Sequence, residues 1–327
     1  METLHKKQKG QRGVALVLTL LILTILVVTG LEFNRAIRVE ASLAGNFRDL
    51  TQASCIAQSG VEIARALIQE DDPTYDGPDE RWARFEVLSY LSHQLFTDGY
   101  FTGQIVDESA KFNPNGLITR YGNVDPKKRD QLERLLVLLR HDPGVIDAIL
   151  DWLDPDEQRR TLGAEREHYM LLKPPYAPKN GPLDSLGEML LIKGVSPAIF
   201  YGTDDKEGLR NYLTVYPGLD PRTNIDPKIN INTASLPVLM SLSPKVDQAM
   251  AQAVLDYRRF QPFRRLENLR SIPGWGEIYP AISSEITVYS NYFSVEITGV
   301  YHDARALVRT VVKREGRQTR ILFWKAG

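Results

Sequence analysis

The sequence predicts an α+β fold: a long N-terminal helix, transmembrane in its first half and amphipathic in its second, packed on a small antiparallel sheet that a large α-helical insertion interrupts. Three observations carry this expectation. An uninterrupted apolar run over residues 14–31 flows, with no proline before Pro73, into a periodic stripe that reaches residue 68. Alternating or β-rich runs close the chain at residues 292–300, 304–314 and 319–324. The middle of the chain reads mostly as helices.

The apolar run comes first. About 18 uncharged residues at ~1.5 Å rise cover roughly 27 Å, close to the ~30 Å hydrocarbon thickness of a bilayer. Lys6, Lys7, Lys9 and Arg12 stand immediately before it, so the positive-inside bias keeps the N-terminus cytoplasmic and sends the bulk to the other side. A cleaved secretory signal would have a shorter apolar core and a small-x-small site. This run ends in Thr29-Gly30-Leu31-Glu32-Phe33, which lacks that pattern, so the anchor is retained. Gly13 lies between the charges and the apolar core, on the cytoplasmic side. A short basic leader ending in glycine directly before an apolar helix resembles the leader of type IV prepilins, which a peptidase at the cytoplasmic face cuts after the glycine. By that resemblance residues 1–13 are a leader and the mature chain begins at Val14. Most pilins carry a glutamate five residues into the mature chain, where this sequence has Leu18. That glutamate is thought to neutralise the N-terminal amine of a neighbouring subunit, so Leu18 implies a subunit with nothing ahead of it, at a filament tip.

Beyond the span, Leu43, Phe47, Leu50, Ser54, Ala57, Val61, Ala64 and Ile68 recur at alternating four- and three-residue intervals and share one helical stripe. Residues 14–70 are expected as one helix of roughly 85 Å, half in lipid and half packed on its own globular head. Asp71, Asp72, Pro73, Asp76, Gly77 and Pro78 mark the loop that ends it. A second helix is expected over residues 80–95, a strand over 99–106 and a turn over 107–116. The closing runs, separated only by His302-Asp303 and Glu315-Gly316, read as a three-stranded antiparallel meander. Residues 32–124 and 286–327 then form a discontinuous head.

Residues 125–285 form the insertion, with helices expected over 130–140, 143–153, 186–192, 234–242, 246–259 and 266–271. Asp142 and Pro143 supply an N-cap and a first-turn proline. Within it, Asp151-Trp152-Leu153-Asp154-Pro155-Asp156-Glu157 and the nearby Glu165 and Glu167 are the most chemical-looking residues. Pro155 extends the backbone at Asp154, so Asp154 and Asp156 can point the same way while Asp151 sits on the last helical turn. These are hard oxygen donors of the kind Ca²⁺ takes, without EF-hand spacing. On spacing alone, a solvated acidic loop paired with Arg159, Arg160 and Arg166 is the better reading. The run from Ile229 to Ser235, the helix after it, and Phe263 to Gly274 resemble a helix-hairpin-helix or SAM-like pair, with Asn232 or Thr233 as a cap. Such hairpins can bind DNA phosphates, but the first, Leu242-Ser243-Pro244-Lys245, lacks the glycines that do so, although Pro273-Gly274-Trp275-Gly276 keeps two, and packing is favoured.

Composition agrees with a folded structural protein. The chain has 327 residues, 43% hydrophobic and 25% charged, and a net charge of -1, which gives no argument for a nucleic-acid partner. Its single cysteine, Cys55, cannot form an internal disulfide. The five histidines show no ligand or triad spacing, and no phosphate-binding loop or nucleophile elbow is present, so no enzyme is expected.

Taken together, the Arg12-Gly13 leader, Asp107, Phe112-Asn113-Pro114-Asn115, Leu150 to Asp156, Gly163-Ala164-Glu165 with Tyr169, Pro174-Pro175-Tyr176 with Asn180, Glu188 before Ile192-Lys193-Gly194-Val195, and Ile229-Asn230-Ile231-Asn232-Thr233-Ala234 resemble the general secretion pathway protein K family, large minor pseudopilins of type II secretion systems. The resemblance spans almost the whole chain. It implies a pilin-like head interrupted by an α-helical domain, residence in the inner membrane with the bulk in the periplasm, and assembly with the minor pseudopilins I and J at the tip of a pseudopilus built from the major pseudopilin. It also implies processing by prepilin peptidase and bound Ca²⁺, and leaves two roles open for the insert, touching exported substrate or only capping the filament. It thereby reverses the weighting of the acidic loop, making Asp151, Asp154, Asp156 and Glu165 the expected ligands. The competing class is a membrane-anchored extracytoplasmic DNA-binding protein of a competence-type system, using the hairpin pair.

Overall fold

The computed structural model describes residues 6–218 and 227–327; residues 1–5 of the expected leader lie outside the described residues. Helix α1, Lys6–Glu70, is continuous for 65 residues. Its apolar stretch is suited to lipid beyond its composition. Thr19, Thr24 and Thr29 donate their hydroxyls to the carbonyls of Leu16, Leu20 and Ile25, so no polar hydrogen is left facing hydrocarbon. Among the described residues this is the one helix long and apolar enough to cross a membrane, and its apolar window touches nothing else in the chain.

The stripe on the second half of α1 divides. Ala57, Val61, Ala64 and Ile68 are buried, whereas Leu43, Phe47 and Leu50 are exposed. Apolar packing of α1 on the head therefore begins at Ala53, with a polar contact below it, between Asp49 and His302 at 3.2 Å. The surface it meets is a four-stranded antiparallel sheet of order β1-β6-β7-β8, in which β1 is Gly99–Asp107, β6 Tyr292–Tyr301, β7 Ala304–Glu315 and β8 Gln318–Ala326. The closing meander forms as the alternating and β-rich runs predict, and β1 joins its free edge, pairing Gly99 with Tyr301 through to Asp107 with Phe293. Inward residues Phe293, Val295 and Ile297 of β6 alternate with half-exposed ones and meet Ile56, Ala57, Val61 and Phe101 in one apolar core. Close approach of helix to sheet is made possible by Gly299, where a Cβ would lie 2.1 Å from the Ala53 carbonyl oxygen.

The helix expected over residues 80–95 is broken into a 3₁₀ turn Trp82–Arg84, helix α2 Phe85–Tyr90, and a second 3₁₀ turn Leu91–Gln94. The buried Ser92 accounts for the tight ending: its hydroxyl accepts from the Phe101 amide and donates to the Phe101 carbonyl, sealing the outer edge of β1.

A second apolar core gathers residues from Tyr75 to Val288. It is built by α3 Pro126–Leu138, α4 Val145–Leu153, α5 Arg166–Met170, α6 Pro197–Tyr201, α7 Leu236–Ser241, α8 Gln248–Phe260 and α9 Trp275–Ile282. Two small strand pairs accompany them: β2 Gly202–Thr203 with β3 Lys206–Glu207, and β4 Ile229–Asn230 parallel to β5 Ile286–Thr287. The helices expected over 186–192 and 266–271 are instead 3₁₀ segments, Leu186–Leu191 and Leu266–Ser271. Each runs through an isoleucine to a left-handed glycine, Gly194 at φ 84° or Gly274 at φ 82°, and on into a helix, α6 or α9. These are two copies of one turn, and the positive φ explains the glycine in both.

Asn232 and Thr233 do not cap α7, whose N-cap position is Ser235. Asn232 is buried instead, accepting from the Phe263 amide and donating to the Phe263 carbonyl at 2.7 and 2.9 Å. Asp142 likewise stops short of the N-cap of α4, which is Gly144; its carboxylate accepts from the Gly144 amide in a turn just outside.

Candidate functional site

The acidic segment sits at the end of α4, whose Leu135- and Ile149-lined core contacts fix its direction. Asp151 occupies the last turn. Asp154 follows at the C-cap with an extended backbone, φ -79° and ψ 159°, as the following proline demands. The chain then returns through Gly163 to Glu165, the residue before α5. One oxygen from each of Asp154, Asp156 and Glu165 lies within 4.8 Å of the others. Asp154 is 1% exposed and Glu165 5%. Asp154 Oδ1 and both Glu165 oxygens have no hydrogen-bond partner. Burial, reinforced by the negative charges of Asp151 and Asp154, pushes the Glu165 carboxyl up to about 8. Burial also raises Asp154, against the pull of Arg160.

Asp151 stands apart from this trio. Arg160 Nη1 donates to Asp151 Oδ1 at 2.6 Å and to Asp154 Oδ2 at 2.5 Å, and the Arg160 amide reaches Asp151 Oδ2 at 3.1 Å. One guanidinium nitrogen thus bridges the two buried carboxylates. Asp151 is held by Arg160 and lies outside the converging trio.

The donor set suits a hard divalent cation. Three carboxylates converge, two are buried, three oxygens lack partners, and oxygen donors of this kind are those Ca²⁺ takes. A bound Ca²⁺ would supply the positive charge these groups lack and fix the loop.

Supporting residues come from other motifs. Lys193 Nζ donates to the carbonyls of Leu162 and Gly163 at 3.3 and 3.0 Å, and the Lys193 amide donates to Tyr169 Oη, so the turn at Gly194 holds the returning segment. Asn180 donates to the Asp156 carbonyl and to Glu157, while its own Oδ1 is buried and unpartnered.

The remaining motif residues are joinery. Asn115 exchanges hydrogen bonds with the Leu183 backbone, and Asn113 donates to the Pro217 carbonyl. Asp107, fully buried at the end of β1, accepts from the Ser109 amide, Asn230 Nδ2 and the Thr233 hydroxyl, tying the sheet to the Ile229–Asn230 strand. In the hairpin pair, the Trp275 amide is used by the Ile272 carbonyl and its ring is fully buried.

A membrane-length helix continuing into a single antiparallel sheet, with a separate helical core attached, defines a membrane-anchored subunit of pilin-like architecture. The solved structure of the GspK-GspI-GspJ complex from the type 2 secretion system of enterotoxigenic Escherichia coli matches with a TM-score of 0.62 at 17% identity, covering 89% of this chain and 99% of that one. Two family profiles, both described as type II secretion system protein K, match residues 110–218 and 229–288, together more than half of the chain. Proteins of that name from Pseudomonas aeruginosa and Aeromonas hydrophila are 29% and 27% identical; the first alignment covers 79% of this chain and 75% of that protein, the second 96% of each. The chain belongs to the type II secretion system protein K family and is a minor pseudopilin. The DNA-binding reading finds no support, since the hairpin pair lies inside the second matched segment.

Proposed function

We propose that this chain forms the tip of a periplasmic pseudopilus with I- and J-type minor pseudopilins, and nucleates the filament of major pseudopilin that grows beneath it during protein export. The observation that carries the reading is the division of α1: its apolar window is wholly unburied, and Leu43, Phe47 and Leu50 extend the exposed stripe well past the span. A soluble monomer would not leave such a face uncovered. The solved relative is a complex of K, I and J proteins, which supports partners of the same kind here.

In this reading the chain sits in the inner membrane with its N-terminus cytoplasmic. Prepilin peptidase cuts after Gly13, leaving Val14 as the first residue, and Leu18 denies the subunit a charge partner above it. Residues 32–124 and 286–327 act as the pilin-like head, and residues 125–285 as a SAM-like insert that caps the filament and faces exported substrate. Asp154, Asp156 and Glu165 hold Ca²⁺, with Asp151 joining them if Arg160 withdraws. The paired 3₁₀-glycine-helix turns at Gly194 and Gly274 support the SAM-like assignment.

Co-expression of the full chain with its I- and J-type partners tests the proposal. A ternary complex retained through size-exclusion chromatography in detergent is the expected result; a full-length chain that binds neither partner would overturn it.

A further inference from the structure

The loop that leaves α1 carries a second set of carboxylates, far in sequence from the first. Asp76 is 0% exposed. Its amide donates to the Val288 carbonyl at 2.8 Å, and its Oδ2 accepts from the Ser290 amide at 2.6 Å and from Arg314 Nη2 at 2.5 Å. Its Oδ1 has no partner. Glu80, also buried, accepts through Oε2 from the Gly77 amide and from Trp82 Nε1, both at 2.9 Å. Asp71 receives a long contact from Arg314 Nη1, at 3.4 Å, and lies within hydrogen-bonding reach of the Glu80 carboxyl. One oxygen from each of Asp71, Asp76 and Glu80 lies within 4.8 Å of the other two.

We propose that Asp71, Asp76 and Glu80 bind a hard divalent cation, of which Ca²⁺ is the type, at the joint between the sheet and the helical core. Three carboxylates face a single guanidinium, that of Arg314. The nearby Arg264 is turned to the face of Tyr75, with 4.6 Å from its Cζ to the ring centroid. Burial pushes the Asp76 and Glu80 carboxyls up to about 7 and about 8, and a divalent ion at the cluster would supply the positive charge that one guanidinium cannot. The donors are all oxygen, which selects Ca²⁺-like ions over thiophilic metals. An open cavity of about 410 Å³ reaches two of the three carboxylates, Asp71 and Glu80, with Asp72, Asp79, Arg81 and Arg264 also on its wall.

The position gives the ion a task. Asp76 touches three separate elements: Arg314 at the end of β7, the Val288 and Ser290 link between β5 and β6, and β4, through Asn230, which donates to the Asp76 carbonyl at 3.1 Å. A cation on its free oxygen pins the exit of α1 to the seam between the two apolar cores.

The test uses the full-length protein in detergent, with Ca²⁺ in calorimetric titrations and Tb³⁺ as a luminescent probe. Trp82 touches Glu80 directly, so it sensitises a lanthanide bound there. In an Asp154→Asn, Glu165→Gln background, one equivalent of Ca²⁺ is expected to remain. Adding Glu80→Gln should weaken it at least tenfold, and Trp82→Phe should cut tryptophan-excited Tb³⁺ emission several-fold without changing the Ca²⁺ titration. Loss of all binding in the double-variant background would overturn the proposal. So would residual binding that is indifferent to Glu80→Gln, or Tb³⁺ emission that is indifferent to Trp82→Phe.

Discussion

A Cβ on Gly163 would lie 1.9 Å from Asp151 Oδ2, so the segment that delivers Glu165 can pass α4 only where a residue has no side chain. Gly163→Ala must displace the Asp151 carboxylate, and with it the Arg160 bridge to Asp154. We expect Ca²⁺ binding to weaken about 10- to 100-fold, as for other changes in the residues that orient metal ligands, measured by titration of the full-length protein against a chelator. Gly13 is a glycine for a different reason. No atom lies within 4 Å of the Cβ it lacks, so nothing in the folded chain requires it. Gly13→Leu is therefore expected to leave the fold and melting temperature unchanged while abolishing processing in cells that contain prepilin peptidase. A product shortened by about 13 residues would reject the leader assignment. At this scale the sequence was legible where a local rule applied, as with Pro155 extending Asp154. It was not legible where a contact spans the chain: Asp76 and Arg314 are 238 positions apart, and no periodicity links them. Asn180 and Lys193 stood in recognised motifs, but only the structure shows that they hold the acidic loop.

Elements follow the same division between local and distant causes. Alternation located β6 and β7, because a sheet packed on one face must alternate, whereas β8 is exposed on both faces and was legible from its β-rich run over residues 321–324. The 3₁₀ segments were read as helices because Leu186 with Met189 and Leu266 with Leu269 keep the three-residue spacing that both conformations share. Expected caps also moved: Asn232 has a buried backbone to satisfy at Phe263, and a hydrogen bond inside the core outweighs a cap at the surface. The helix-to-sheet contact is the element-scale feature most exposed to mutation. At Gly299 a Cβ would meet the Ala53 oxygen at 2.1 Å and the Ala57 nitrogen at 2.5 Å, both backbone atoms that cannot swing aside. Gly299→Val should therefore lower stability by about 3 kcal/mol, at the upper end of overpacking costs, read from the urea midpoint in detergent. A loss below about 0.5 kcal/mol, the range of neutral surface changes, would mean that α1 does not rest on β6 as described.

For the whole molecule, the decisive feature is how little of α1 its own head covers. The sequence stripe ran from Leu43 to Ile68 with only Ser54 breaking its apolar character, and periodicity alone could not show where self-packing ends and partner packing begins, since both need the same apolar face. The structure places that limit near Ala53. Phe47 is 73% exposed and Leu50 47%, and both lie beyond the residues that span the bilayer. Lipid does not cover them, which leaves them free to meet a partner's apolar surface. Replacing both, Phe47→Glu with Leu50→Glu, separates the two roles of the helix. If the stripe above Ala53 serves assembly, the double variant should unfold within about 0.5 kcal/mol of the parent but lose at least tenfold in association with the I- and J-type partners, because burying two carboxylates against apolar helices without counter-charges is heavily unfavourable. Should stability fall instead by about 2 kcal/mol or more, in the range for disrupted core packing, the stripe belongs to the chain's own head and the full-length self-packing read from periodicity is restored. Should neither quantity change, partner contact lies elsewhere, and the exposed face of α1 has no part in tip assembly.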